Sequence, residues 1–159
     1  MLIKLPFLQP GNIYRSPMPY SRFDTEDVWT SFLENEVDLV VVLTEQQEYL
    51  VYAGKDLPAF YRSNGMDALH IPVPDFGIPD DIESWQDGLE AVVSAAESGK
   101  NVVIHCLAGI GRTGTFLACL AKGVMDLDGM DAIRWVRESV QGAMENSYQE
   151  DFVINYQWE

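Results

Sequence analysis

The chain reads as a single α/β domain, a three-layer sandwich in which a mainly parallel central sheet is flanked by helices. Three observations predict it. Apolar, β-branched runs alternate with amphipathic stretches of helical period. No strong hairpin signal joins consecutive strands, and no repeat is present. The sharpest motif, residues 105–113, follows directly on an apolar strand, and open α/β sheets bind ligands at the carboxyl ends of their strands. With 159 residues, 47% of them hydrophobic, one core is enough, and residues 1–159 form one domain.

Taken in order, residues 10–22 carry three prolines and allow at most a short edge strand at Ile13 and Tyr14 before a loop. Arg15 and Arg22 read as surface charges. Asp24 opens an amphipathic helix with Val28, Trp29, Phe32 and Leu33 on one face, ending near Asn35. Residues 37–43 are nearly all apolar, as in a strand covered on both faces. Residues 46–53 and 57–62 are predicted helical, with a stop at Gly65. Glu45 is either a helix-start carboxylate or faces a site from its strand end.

Residues 68–73 form a third strand whose prolines place it at an edge or end it early, with His70 packed in it. Residues 74–80 are a loop. The next helix takes Asp80 as its cap, with Glu83 three residues on, and buries Ile82, Trp85, Leu89, Val92, Val93 and Ala96 before Gly99. Strand 102–104 leads into the motif. Beyond it come a largely buried helix from near Arg112, with Phe116, Leu117, Leu120 and Val124 inside, then helices over 132–139 and 148–158.

Charge and cysteine usage restrict the partners. Ten basic against twenty-five acidic side chains give a net charge of −15, which argues against nucleic acid or an anionic membrane surface. Two cysteines are too few for a disulfide framework, and the first residues are too short an apolar run for a secretory core or membrane span. A cytoplasmic protein is expected.

The motif His105-Cys106-Leu107-Ala108-Gly109-Ile110-Gly111-Arg112-Thr113 has the chemistry of an anion cradle with a thiol at its floor. A strand end, a glycine-bearing turn and a helix start aim backbone N–H groups at one point, and the helix dipole favours negative charge there. The same field and the neighbouring arginine favour the thiolate, the competent nucleophile. Arg112 can clamp phosphate oxygens with its planar fork, together with amides from Leu107 to Arg112. Thr113 can donate to the sulfur, and His105 fixes the turn rather than acting as a base. A leaving oxygen also needs a proton. Asp75, in a loop at the same sheet edge, is the candidate, with Asp80 and Asp81 as rivals.

His-Cys-x5-Arg-Thr resembles the signature of the cysteine-dependent protein tyrosine phosphatase superfamily, and within it the small atypical dual-specificity phosphatases, over roughly residues 10 to 158. The resemblance implies a protein tyrosine phosphatase-like fold and a phosphocysteine intermediate, with no metal or cofactor. It also implies a general-acid role for Asp75, since residues 71–76 are similar to the acid loop. Residues 145–150 match the stretch that carries a water-positioning glutamine, here Gln149. Where relatives often show Arg-Pro-Gly, this chain has Val140-Gln141-Gly142, so any contact made by that arginine is missing. Relatives that act on phosphoinositides tend to carry basic residues in this loop, so the uncharged Leu107, Ala108, Ile110 and Gly111 imply, on the resemblance, a monophosphorylated protein or peptide rather than a polyphosphorylated lipid head group. Other readings are a silent phosphopeptide-binding module, a phosphatase for a non-protein monoester, and a sulfurtransferase or arsenate-handling enzyme.

Overall fold

The computed structural model describes all residues from Met1 to Glu159. Five strands, β1 (Ile3–Leu5), β2 (Ile13–Ser16), β3 (Leu39–Val42), β4 (Asp67–His70) and β5 (Val102–His105), form one sheet in the order β1-β2-β5-β3-β4. Only the β1–β2 pair is antiparallel. β5 is central, with all four residues buried. Its carboxyl end therefore opens between β2 and β3, the position where loops from both neighbours converge.

Helices α1 (Val28–Glu34) and α3 (Leu57–Ser63) pack on one face, with Val28, Phe32 and Tyr61 against Tyr14, Val40, Val42 and Val103. The other face is larger. There α4 (Ile82–Glu97), α5 (Gly111–Met125), α6 (Gly129–Ser139) and α7 (Ser147–Asn155) cover Ile13, Leu39, Val41 and Ile104. Alternate residues of β3 thus face opposite cores, the arrangement expected of its unbroken apolar run.

Several boundaries differ from the sequence expectation. β2 lies inside the sheet, because Ile3–Leu5 supplies an outer strand that the proline-flanked start concealed. The predicted helix over 46–53 is a single α-turn, α2 (Gln46–Glu48), followed by a π-helical turn Tyr49–Ala53. The cap of α4 is Asp81, whose Oδ1 accepts the Ser84 N–H at 3.0 Å, and not Asp80. α7 stops at Asn155: Lys122 Nζ donates to the carbonyls of Val153 and Tyr156 at 2.8 and 2.5 Å, and Trp158 turns back to donate to Cys119 O at 2.7 Å. No helix is long and apolar enough to cross a membrane.

Candidate active site

β5 ends at His105 and α5 begins at Gly111, so residues 106–110 form the turn that the motif predicts. The turn follows the end of β2, where the Met18 N–H donates to Leu107 O at 2.9 Å. Gly109 is fixed by two conditions: its φ is +78°, and a Cβ would run into the Ser16 carbonyl. Ile110, the cap residue of α5, offers no capping side chain, and the Gly111 N–H is met instead by the Glu145 carboxylate, an anion already at the helix start. Cys106 lies at the floor, 3% exposed.

His105 is wholly buried. Its Nδ1 lies 3.0 Å from Cys106 O and its Nε2 2.8 Å from the Tyr61 hydroxyl. A carbonyl only accepts, so Nδ1 carries the proton and Nε2 accepts from Tyr61. Burial, followed by smaller effects that include the Arg112 charge, lowers the His105 pKa to about 4. The ring is a neutral strut between the turn and α3, with both nitrogens in use.

Arg112 occupies the centre of the polar network. Nη1 donates to Glu48 Oε2 at 2.8 Å and to Val73 O at 2.9 Å; Nη2 donates to Glu48 Oε1 at 2.9 Å and to Asp75 Oδ1 at 3.0 Å. Burial works against the guanidinium charge, but the Glu48 hydrogen bond and the Cys106, Glu48 and Asp75 charges outweigh it and raise its pKa. Counting donors decides which edge can meet a phosphate. Nη1 is fully committed, so the available edge is Nε with Nη2, and at Nη2 an incoming oxygen competes with Asp75.

Asp75 arrives there through β3. Past the end of β4, the Ile71 and Val73 N–H groups still donate to Val42 O and Leu43 O at 2.9 and 3.0 Å, carrying the chain along β3 towards the cradle. Pro72 and Pro74 have no N–H to continue, and the loop turns outward with Phe76 at φ +60°. The Asp75 side chain is 47% exposed. Two residues near the start of α7 hold the loop: Asn146 Nδ2 donates to Phe76 O at 2.8 Å and Gln149 Nε2 to Gly77 O at 3.2 Å. Gln149 Oε1 accepts the Glu145 N–H at 2.7 Å, so both ends of its buried amide meet backbone.

Thr113 Oγ1 is buried with no hydrogen-bond partner. Glu145 brings a further carboxylate beside Gly111; burial and then the Asp75 charge raise its pKa, against Arg112 and the Gly111 N–H. Burial pushes the Cys119 thiol up to about 12, and this residue packs within the core along α5.

A family model described as "Polymorphic toxin system, DSP-PTPase phosphatase" matches residues 18–123, the segment that carries Asp75, Cys106 and Arg112. The chain belongs to the DSP-PTPase phosphatases. The solved structure of Tk-PTP in its active form is similar, with a TM-score of 0.73 and 30% identity over 89% of this chain and 88% of that one. A kinase associated phosphatase (KAP) with its catalytic-site cysteine replaced by serine has a TM-score of 0.83 at 22% identity, covering 96% of this chain and 91% of that one. The cyclin-dependent kinase inhibitor 3 of Rattus norvegicus is 26% identical over 151 residues, 92% of this chain and 68% of the rat protein. These similarities place the expected atypical dual-specificity type and the three-layer fold on firm ground.

In this phosphatase the structure brings Cys106, Arg112, Thr113 and Asp75 to one sheet edge, with Gln149 behind the loop that carries Asp75. Three participants were not singled out in the sequence: Glu48, Tyr61 and Asn146. Glu48 stands three residues after Glu45 and its Oε2 also accepts the Glu45 N–H at 2.8 Å, so the pair is a helix-start motif in which the second carboxylate faces the site. That spacing after a strand end was the available signal. Tyr61 acts through folding alone, whereas Asn146 carries the local mark of a helix cap, its Oδ1 accepting the Gln149 N–H three residues on at 3.0 Å.

Proposed function

We propose that the chain is a cysteine-dependent protein phosphatase that hydrolyses phosphotyrosine, and phosphoserine or phosphothreonine, monoesters through a phosphocysteine intermediate. The observation that carries this reading is the single guanidinium of Arg112 joining the Asp75 carboxylate to the turn that holds Cys106. A substrate phosphate takes the Nε–Nη2 edge of Arg112 and the turn's amides, displacing Asp75 from Nη2. Asp75 is thereby released towards the leaving oxygen and takes up a proton from solvent, which it gives back on rejoining Arg112.

In the first step Cys106 Sγ forms a bond to phosphorus, the bond to the ester oxygen breaks, and the Asp75 carboxyl gives that oxygen its proton. Arg112 and the amides stabilise the charge spread over the equatorial oxygens. In the second step water attacks phosphorus and passes a proton to Asp75, and the S–P bond breaks to return thiolate and phosphate. The unpartnered Thr113 hydroxyl is suited to donate to the departing sulfur. Gln149 serves this step by exchanging its 3.2 Å bond to Gly77 O for the attacking water. Two free cysteines, one of them the nucleophile, fit a reducing cytoplasmic setting.

The test is a panel of initial rates at about pH 5 to 7. Phosphotyrosine, phosphoserine and phosphothreonine peptides are compared with a phosphoinositide and a nucleotide, and Cys106→Ser is the control. Peptide hydrolysis lost in Cys106→Ser supports the reading. Turnover of the phosphoinositide or nucleotide alone contradicts it, and tight phosphopeptide binding with no release of phosphate would make the protein a binding module.

A further inference from the structure

The acid loop borders a surface that the chemistry at Cys106 does not use. Ile78, three residues after Asp75, and Tyr148, next to Gln149, form one wall of an open cleft of about 500 Å³ whose other apolar residues include Ile82, Phe152 and Tyr156. Ile78, Ile82 and Tyr148 are exposed, and Tyr148 keeps 74% of its surface in water. The cleft runs into a second one of about 490 Å³ through the shared residues Ile82, Tyr156 and Gln157. The character changes there: Glu83, Asp87, Glu90 and Glu159 line it, and neither cleft contains a lysine or arginine. A single track therefore leads from the general-acid loop over an apolar hollow to an acidic one.

We infer that this track reads the chain around the phosphorylated residue, and that its occupant is a phosphopeptide segment with a large apolar side chain followed by lysine or arginine. The inference rests on the protein-phosphatase reading above. Two features argue for this occupant. The track is continuous with the site, since the backbone carbonyls of Phe76 and Gly77 tie the loop to α7, whose Tyr148 and Phe152 line the hollow. Asp75 of that loop bonds Arg112 beside the cradle, and Ile78, three residues on, lines the hollow. The charge is complementary as well: a protein of net charge −15 repels acidic segments, and four carboxylates without a counter-cation favour a basic one. The apolar hollow supplies affinity by burying surface, and the acidic hollow supplies selection and encounter rate.

The same track answers an electrostatic difficulty of the site. A phosphate approaching so acidic a molecule is repelled, and basic residues flanking it reverse the sign of that approach. The preference for basic flanks therefore weakens as salt rises, because the carboxylates are exposed and screened over about 10 Å at 0.1 M.

The experiment uses the full chain and three substrates: an aryl phosphate, a phosphopeptide with a Leu-Lys-Lys flank and the same peptide with Ser-Glu-Glu. Two variants accompany it, Glu83→Gln/Asp87→Asn/Glu90→Gln and Ile82→Ser, none of which touches the cradle. The expected kcat/KM ratio of the basic to the acidic peptide is about tenfold or more in low salt. The triple variant brings it below about threefold, and Ile82→Ser lowers the rate on the Leu-bearing peptide, while aryl phosphate turnover stays within about twofold in both. Equal rates on the two peptides, or a preference that survives the triple variant, overturns the track while leaving the protein-phosphatase reading intact. Turnover of aryl phosphate with neither peptide hydrolysed overturns both.

Discussion

The turn that carries Cys106 and the loop that carries Asp75 meet at Arg112, but different forces hold them. The turn is suspended between β5, buried throughout, and α5, whose residues from Gly111 to Ala121 are all buried. Its shape follows from core packing, from Gly109, and from the buried His105–Tyr61 bond. The loop buries little: Asp75, Phe76 and Ile78 are exposed, and it is fastened by bonds from Arg112, Asn146 and Gln149. Cys106 is therefore held in one arrangement by packing, whereas Asp75 is held by bonds that can be exchanged one at a time. That suits a cycle in which the cradle keeps one shape while Asp75 leaves and rejoins Arg112.

Substitutions on the two sides separate catalysis from stability. The largest effect is expected for Cys106→Ser, which should bring turnover of an aryl phosphate to background while leaving the thermal melt almost unchanged, since the two side chains are close in size. Asp75→Ala should lower kcat by about 10²–10⁴ and change unfolding free energy by no more than about 0.5 kcal/mol, as expected of an exposed loop residue. A comparable loss of stability would mean that the loop is part of the packed structure and would erase the contrast.

Glu48→Ala should act the other way round. It removes the buried partner of a guanidinium 2% exposed and should cost about 3–5 kcal/mol in urea unfolding, with activity falling as Arg112 loses its fixed edge. The His105 strut gives the turn a pH signature. Its pKa is about 4 in the folded state against an ordinary 6.5, so between those values the unfolded chain takes a proton that the fold refuses. Its contribution is complete above pH 6.5 and is lost as pH falls through 4, amounting to ~3 kcal/mol. Urea midpoints for the native chain and His105→Gln should converge as pH is lowered through that window. The smallest effect is expected for Gln149→Ala, a loss of about tenfold or less in kcat, with phosphoenzyme building up because the second step slows.

What could be read in the sequence followed how local each determinant was. β3 and β5 announced themselves as apolar runs, and Cys106, Arg112 and Thr113 lie within one strand–turn–helix unit. Asp75 was legible because a proline-framed loop after a strand parallel to β5 has to emerge at the same edge. Glu48 was marked only by its spacing from Glu45, since its partner Arg112 is 64 positions away and only the order of strands brings them together. β1 was concealed because three residues carry too little pattern to read. The π-helical turn was missed because its sequence differs little from one suited to an α-helix. Gln149 was placed by resemblance, but its two backbone partners depend on how the loop and α7 meet.

The central claim is that phosphate passes through Cys106. Rapid mixing with an aryl phosphate, acid quench within the first turnover, proteolysis and mass analysis test it directly. The expected result is one phosphoryl group on the peptide containing Cys106, appearing with the burst of released aryl alcohol and absent from Cys106→Ser. Steady turnover with no burst and no modified Cys106, persisting in Cys106→Ser, would contradict it.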